Sequence, residues 1–178
     1  MAGRAAPRRI VTALGEDGRS YLARIEEIPA DERLNISSET IARSYPNGPP
    51  AVHTIWSCDQ LPFELPVDPQ ALPSGAHPGP LGLRVSVTVF PPGWNGEMFW
   101  SDRVDVLWMM AGTLRYVTDS GDEVLFGPGD IVIQNGTNKA FVNAADEPAM
   151  MGCVLCGAVR TGPSPPADRF HGAEPRHP

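Results

Sequence analysis

Residues 128–143, with the sequence PGDIVIQNGTNKAFVN, decide the fold of this chain. Pro128-Gly129 and Asn135-Gly136 are combinations that turn a backbone tightly. The short stretches that follow them, Asp130–Gln134 and Ala140–Asn143, contain β-branched and aromatic side chains. We therefore predict two short strands joined by a tight turn.

Upstream of this hairpin, Arg84–Phe90 alternates strictly between two kinds of side chain. Such alternation predicts a β-strand with two different faces. One face carries Val85, Val87 and Val89, and the other carries Arg84, Ser86 and Thr88. Two interpretations of the polar face remain open. Either it lines a cavity and binds a carboxylate, or it faces solvent.

Further short strands are predicted along the rest of the chain, between segments rich in Gly, Pro and Asp. They are Arg9–Leu14, Arg19–Ile25, Ala51–Trp56, Val104–Met110, Gly112–Thr118, Glu123–Phe126 and Met150–Val159. Many short strands at close spacing predict an all-β sandwich or small barrel. The expected organisation is an N-terminal hairpin and arm over residues 1–50, a barrel over 51–160 and a disordered tail over 161–178.

Composition narrows the class of protein further. The 178 residues include 18 Gly and 20 Pro, and the formal net charge is −7. This charge argues against nucleic acid or anionic lipid as the main partner. No apolar run is long enough to span a membrane, and Ile10–Leu14 is too short for the apolar part of a signal peptide. We expect a cytoplasmic protein with reduced thiols, because Cys58, Cys153 and Cys156 form no disulfide framework.

The hairpin at 128–143, together with Pro91-Pro92-Gly93 and Gly112, resembles the cupin superfamily over roughly residues 81–158. The N-terminal hairpin also resembles a subgroup of single-domain bacterial cupins. The resemblance implies a double-stranded β-helix barrel around one small-molecule cavity. It also implies dimers that pair sheet to sheet, with the arm laid across the partner.

In typical cupins two histidines and a glutamate of a first motif, and a histidine of a second, hold one divalent ion. Here the glutamate position falls at Asp105, and the last histidine position falls at Lys139. The other two histidine positions fall at or beside Phe99 and Ser101. Since a protonated lysine and a phenylalanine offer no lone pair, we predict no metal and no other cofactor. A metallo-cupin with ligands drawn from His53, Asp105 and Asp102 or Cys58 remains the alternative.

Lys139 and Asp105 are the predicted catalytic residues, because one buried amine and one carboxylate can exchange protons with a carbonyl compound. The alternatives are a structural salt bridge, and a lysine that reaches solvent. Trp108 and Met110 face opposite to Met109, so part of the aromatic cluster serves packing. The residues predicted to bind substrate are Trp94, Met98, Phe99, Trp100, Ser101, Leu107, Met109 and Phe141.

The predicted function is metal-independent, non-oxidative chemistry on a hydrophobic, carbonyl-bearing small molecule, in small-molecule and specifically secondary metabolism. Dehydration, cyclisation, isomerisation and decarboxylation all fit, which makes the enzyme a lyase or an isomerase. The alternative is a binding module without turnover. The expected partners are this substrate and a second copy of the chain, with no nucleic acid and no membrane.

Overall fold

A computed structural model describes residues 7–14, 19–30, 47–59, 61–62 and 78–165. The turn at 15–18, most of the Pro-rich stretch before residue 78 and the predicted tail from 166 onward lie outside these ranges. So do His77, His171 and His177. The predicted division into arm, barrel and tail therefore stays a prediction.

Ten strands and no helix make up the regular structure of these residues, which confirms the all-β fold class. The strands are β1 (Arg8–Leu14), β2 (Ser20–Glu27), β3 (Ala51–Cys58), β4 (Leu83–Phe90), β5 (Arg103–Ala111), β6 (Leu114–Thr118), β7 (Glu123–Phe126), β8 (Ile131–Asn135), β9 (Lys139–Val142) and β10 (Ala149–Gly157). No helix of the described residues is long and apolar enough to cross a membrane.

Two sheets form the body of the fold. The larger has the strand order β3-β4-β10-β5-β8, and the smaller has the order β7-β6-β9. All of the strand pairs within them are antiparallel. The chain passes from one sheet to the other between β5 and β6, between β7 and β8, and on either side of β9. This alternation is the winding of a double-stranded β-helix.

Two glycines allow the chain to change sheets. Gly112, between β5 and β6, has φ of 70°, and Gly136, between β8 and β9, has φ of 64°. Only glycine adopts this left-handed conformation without strain. At Gly112 a side chain would also be crowded, because a Cβ there would lie 3.0 Å from the Cα of Ala149 and from the carbonyl oxygen of Pro148.

The inner faces of the two sheets enclose an apolar cluster at one end of the barrel. It contains Phe90, Trp94, Leu107, Met109, Leu114, Tyr116, Phe126, Phe141, Ala149, Met151, Cys153 and Leu155, with Phe99 and Val132 packed against it. Aromatic rings from both sheets meet within this cluster. For example, the ring centroids of Phe90 and Phe141 are 5.5 Å apart.

The polar face of β4 points inward. Arg84, Ser86 and Thr88 are all buried, which shows that the solvent-facing interpretation was wrong. Along β4 the inward side chains change from Arg84, through two hydroxyls, to Phe90. The barrel therefore has a charged end and an apolar end.

The hairpin of β1 and β2 forms a separate two-stranded sheet that is attached to β3. Arg9 donates a hydrogen bond from Nη1 to the carbonyl of Ile55 at 2.8 Å. His53 Nδ1 lies 2.7 Å from the carbonyl oxygen of Ile28. Ile10 and Ile25 of the hairpin pair with each other and are more than half exposed.

Candidate active site

The charged end of the barrel is organised around Asp105 on β5. In the register of the large sheet, Asp105 lies opposite Gln134 on β8 and Leu155 on β10. Leu155 in turn lies opposite Arg84 on β4. Residues directly opposite one another in a sheet point to the same side, so these side chains share the barrel interior.

Arg103 joins the same group because it precedes Asp105 by two residues on one strand. Its Nε lies 3.3 Å from Asp105 Oδ1, which makes an ion pair without the geometry of a hydrogen bond. Both side chains are buried. The carboxylate therefore has its closest ionic contact within its own strand.

Lys139 approaches from the opposite sheet, at the start of β9. Its backbone is held by two hydrogen bonds to Phe99, of 2.9 and 3.0 Å. The ring of Phe99 covers the amine, with Nζ 4.0 Å from the ring centroid. The side chain is 1% exposed, and Nζ has no hydrogen-bond partner among the described residues.

The expected contact between Lys139 and Asp105 needs correction. The two residues act on one another through their charges, but the ion pair of Asp105 is with Arg103. Arg103 and Arg84 were not part of the predicted acid–base pair. Within the part of the chain that the structure describes, the charges of Arg103, Lys139 and Arg84 all act on Asp105, rather than that of one base alone.

Burial lowers the pKa of Lys139 from 10.5 to about 7, because a desolvated ammonium is costly. The charge of Asp105 opposes this decrease, and the charge of Arg103 adds to it. Burial also raises the pKa of Asp105, against the opposing charges of Arg103, Lys139 and Arg84. A large fraction of Lys139 is consequently a neutral amine at neutral pH, able to accept a proton.

Tyr116 of β6 is a further ionisable group of this chamber. Burial raises its pKa, a hydrogen bond with Thr137 opposes the increase, and the charge of Asp105 adds to it. Its ring packs edge-on against Phe141, with the centroids 5.5 Å apart. The phenol therefore stays protonated and can serve as a hydrogen-bond donor.

The residues predicted to bind substrate fall into three groups. Phe99 and Ser101 lie at the charged end: Phe99 covers Lys139, and Ser101 is fully buried with no hydrogen-bond partner for its hydroxyl among the described residues. Trp94, Leu107, Met109 and Phe141 belong to the apolar cluster. Met98 is half-buried and lies outside that cluster.

Trp100 forms the third group together with Met98, because it also lies outside the cluster. It is buried below the guanidinium of Arg160, whose carbon lies 5.0 Å from the ring centroid. Arg160 also binds Asp102 at 2.6 Å and the carbonyl of Gly136 at 2.7 Å. Trp100 thus packs against a surface ion pair rather than beside Lys139. Trp108 lies against Gly152 on the outer face of the large sheet, as the strand alternation predicts.

Sequence reasoning missed Arg103, Gln134 and Tyr116 as groups of the site. The first could have been found, because it shares the strand and the alternation of Asp105. A second missed signal is composition: Lys139 is the only lysine of the chain, among 14 Lys and Arg residues. The positions of Gln134 and Tyr116 in the site depend on strand pairings that the sequence does not specify.

The residues present do not fit the metal ion that the fold family implies. Among the described residues, Asp105 is the only buried carboxylate of the interior, and the other buried charged side chains there, Arg84, Arg103 and Lys139, are cations. Within the described ranges no group of three His, Cys, Asp or Glu residues could hold a metal ion. The guanidiniums of Arg84 and Arg103 offer no lone pair to a metal ion.

The unorthodox ligands considered above also lie apart. His53 pairs with Val87, whose neighbours Ser86 and Thr88 point into the barrel, so His53 faces outward and contacts Ile28. Asp102 is engaged by Arg160. All three cysteines are free thiols, and burial raises the pKa of Cys153 to about 12.

Asn143, the asparagine of the second motif, has a structural position. Its Nδ2 donates hydrogen bonds to the carbonyls of Phe90, Pro91 and Glu147 at 3.2, 3.1 and 2.9 Å. Its Oδ1 accepts one from the amide of Ala145 at 3.1 Å. The side chain ties the end of β9 to the end of β4 and is fully buried.

No protein-family model and no curated protein matches the sequence. Solved structures do resemble it. A Cupin 2 conserved barrel domain protein from Salinispora arenicola is 21% identical, with 75% of this chain and 90% of that chain covered and a TM-score of 0.44. A conserved protein with a double-stranded β-helix domain from Klebsiella pneumoniae is 18% identical, with 63% and 80% covered and a TM-score of 0.46.

A DMSP lyase from Ruegeria pomeroyi is 20% identical, with 45% of this chain covered and a TM-score of 0.40. This chain spans only 41% of that lyase. These similarities are too low to indicate an activity. The strand order and the glycine turns of this chain form a double-stranded β-helix, the fold that the resemblance to cupins implies.

Proposed function

We propose that this chain is an enzyme that carries out non-oxidative acid–base chemistry on a carbonyl-bearing, partly hydrophobic small molecule, without a catalytic metal ion. The observation that carries the proposal is Lys139. It is an amine at the charged end of a barrel, 1% exposed, with a pKa of about 7 and no hydrogen-bond partner for Nζ among the described residues. A general base with a pKa near the operating pH is the most effective.

The neutral amine of Lys139 would take a proton from the carbon beside the carbonyl group of the substrate. The electron pair left on that carbon would delocalise onto the carbonyl oxygen as an enolate. The new ammonium, together with the fixed charges of Arg84 and Arg103, would stabilise this oxyanion in a site of low dielectric. Asp105 would balance the charge of the ammonium.

The second half of the reaction returns the proton. Delivery to a different carbon gives an isomer, delivery to a leaving hydroxyl gives a dehydrated product, and attack of the enolate within the molecule gives a ring. Loss of carbon dioxide from a β-oxo acid passes through the same enolate. A lyase or an isomerase fits this geometry, and a place in secondary metabolism stays a prediction from the sequence.

Proton exchange in heavy water tests the proposal without knowledge of the product. Small molecules released from the purified protein and identified by mass spectrometry would join a panel of 2-oxo and 3-hydroxy carboxylates with alkyl or aryl substituents. We expect the protein to catalyse exchange of a C–H for deuterium, or turnover, of at least one compound, as seen by NMR. Lys139→Met and Lys139→Arg should both lose at least about a hundredfold of this rate.

The two variants form a matched pair, because arginine keeps the positive charge but cannot act as a base. Circular dichroism would verify that each variant folds. If both variants still catalyse proton exchange, Lys139 is not the general base of the reaction. Binding without exchange or turnover of any compound would instead identify a binding module, the second candidate.

We further propose that the protein works in the cytoplasm as a homodimer. The exposed, mutually paired Ile10 and Ile25 of the hairpin support an apolar contact with a second copy. The charge of −7 supports an association that involves neither nucleic acid nor anionic membrane.

A further inference from the structure

Two neutral polar side chains near Lys139 are buried without satisfying all of their hydrogen-bonding groups. Gln134 on β8 is 1% exposed, and Ser101 is fully buried. Neither Oε1 of Gln134 nor Oγ of Ser101 has a hydrogen-bond partner among the described residues. Because an unpaired buried polar atom destabilises a fold, these two atoms indicate a partner that the described residues do not supply.

The amide of Gln134 has a fixed orientation. Its Nε2 donates to the carbonyl oxygen of Thr137 at 2.9 Å. Since a carbonyl oxygen can only accept, the other end of the amide is Oε1. Gln134 lies opposite Asp105 in the register of β5 and β8, so its side chain is on the inner side of the large sheet. Gln134 therefore presents a hydrogen-bond acceptor to the barrel interior.

Ser101 lies against the turn that joins β8 to β9. Its carbonyl oxygen is 3.2 Å from the position that a Cβ on Gly136 would take. In the chain, Gly136 lies between Gln134 and Lys139. Phe99, two residues before Ser101, pairs with Lys139 through two backbone hydrogen bonds. The two unpaired atoms thus belong to the same end of the barrel as Lys139.

We infer that Gln134 and Ser101 form a subsite for a hydroxyl group of the substrate, an inference that rests on the proposed function. The group that faces Oε1 must be a donor, which excludes a carbonyl, a carboxylate or an ether oxygen. A hydroxyl can donate to Oε1 and at the same time accept from the hydroxyl of Ser101, whereas an ammonium can only donate.

The substrate class follows from the position of this subsite relative to Lys139. The base and the two hydrogen-bonding side chains share one end of the barrel, so the carbonyl group and the hydroxyl of the substrate lie close together. The substrate is therefore a hydroxy carbonyl compound, with the hydroxyl on the carbon beside the carbonyl group or on the next carbon.

The rest of the substrate would point toward the apolar end of the barrel. The inward residues of β5 continue from Asp105 to Leu107 and Met109. Phe141 follows Lys139 by two residues on β9, and its ring centroid is 6.3 Å from that of Phe99. An alkyl or aryl group on the carbonyl carbon would lie among these side chains.

Binding of matched phenyl ketones tests the inference. The probes are 2-hydroxyacetophenone and 3-hydroxypropiophenone, each compared with the analogues in which hydrogen or a methoxy group replaces the hydroxyl. By isothermal titration calorimetry we expect at least one hydroxy ketone to bind at least about tenfold more tightly than both of its analogues, because a site that hydrogen-bonds a hydroxyl discriminates against ligands that lack it. The methoxy group keeps an acceptor oxygen but has no donor, so it tests the contact with Oε1 specifically.

Three results would overturn the inference. They are equal affinities within both series, a methoxy ketone that binds as tightly as its hydroxy counterpart, and no binding of either hydroxy ketone at millimolar concentration. Equal affinities would show that Gln134 and Ser101 are satisfied by a permanently bound water instead of a ligand.

The variant Gln134→Leu should reduce the affinity for the hydroxy ketone to that for its hydrogen analogue, without weakening the analogue. The control is Asn135→Leu, at the next residue of β8, which is exposed and faces outward; it should change neither affinity. An undiminished preference for the hydroxyl in Gln134→Leu would contradict the assignment. The comparison of ketones in the unmodified protein needs no variant, so it decides even where Gln134→Leu fails to fold.

The failure of this inference and the failure of the proposed function give different results. Lys139→Met should lose proton exchange but keep the preference for the hydroxy ketone. A preference without exchange in the unmodified protein supports the subsite and contradicts the enzyme. Exchange without a preference supports the enzyme and contradicts the subsite.

Discussion

Replacement of Lys139 by methionine should make the protein more stable at neutral pH. The substitution keeps the length of the side chain and its contact with Phe99, but it removes the amine. Lys139 is 1% exposed, so its ammonium form is stabilised neither by water nor by a hydrogen bond from the residues described. A buried charge in this state destabilises the fold.

The magnitude follows from the difference between the folded and unfolded pKa values. The pKa is about 7 in the folded protein and 10.5 when the lysine is exposed. This difference corresponds to about 5 kcal/mol for the fully charged form. The destabilisation by the buried ammonium is present in full below pH 7. It declines as the pH rises toward 10.5, because the unfolded chain binds more protons than the folded protein in this window. Above pH 10.5 it is absent. At pH 7, Lys139→Met should therefore gain about 4 kcal/mol.

Urea denaturation followed by tryptophan fluorescence measures this gain between pH 6 and pH 10. The unmodified protein should become more stable across the window, and the variant should lose most of that slope. Arg115→Met is the control, because it removes one positive charge from an exposed position and should change stability by less than about 1 kcal/mol. Since Lys139 is the only lysine, NMR of protein labelled at lysine carbons would report its titration from a single signal.

A loss of stability in Lys139→Met at pH 7 would refute this reasoning. It would show that the ammonium is held by a stabilising ion pair, as in the structural interpretation of Lys139 and Asp105. A lysine signal that titrates near pH 10 would lead to the same conclusion.

Four further substitutions follow from the packing and the charges. Asp105→Asn removes the buried carboxylate that Arg103 contacts and should lower the free energy of unfolding by about 3–5 kcal/mol in urea denaturation; no loss would contradict a stabilising role for this ion pair. Asn143→Ala leaves buried carbonyl groups without their hydrogen-bond donor and should lower the free energy of unfolding by about 2–4 kcal/mol. Its control, Asn47→Ala, removes one exposed hydrogen bond to Pro92 and should lower it by about 1 kcal/mol or less. Gly152→Ala places a Cβ 2.2 Å from the ring of Trp108 and should lower the free energy of unfolding by about 1–3 kcal/mol in thermal denaturation. Its control is Gly162→Ala, whose Cβ would meet nothing within 4 Å and which should change stability little. Ile25→Glu should convert the expected dimer to monomer in analytical ultracentrifugation, and an unchanged mass would remove the hairpin from the interface.

Local pattern was enough to predict most of the strands. The alternation of Arg84–Phe90 predicted β4 within one residue of its start, and Glu123–Phe126 was predicted with its observed bounds. The largest errors were of two residues, at the ends of β2, β3 and β10 and at the start of β6; β3, for example, was predicted to end at Trp56 but continues to Cys58. Strand existence depends on side chains two residues apart, which the sequence displays directly, whereas the last residues of a strand depend on the partner strand.

The site was predicted less completely than the fold. Lys139 and Asp105 were identified through the positions that they occupy in the cupin motifs, and both are buried in the barrel. Their mutual arrangement was not predicted, because Arg103 takes the contact with the carboxylate. Which of two nearby cations touches an anion depends on side-chain geometry in three dimensions.

The sequence by itself determined that this chain is an all-β barrel with an amine where the fold family has a metal ligand. Turn-forming residues and the alternation of polar and apolar side chains are local properties of the sequence, so they can be recognised without the tertiary structure. Only the tertiary structure decided that Arg84 faces inward and that Arg103 makes the ion pair with Asp105. A two-residue period separates the two faces of a strand but does not say which face is enclosed, because that depends on where the second sheet packs.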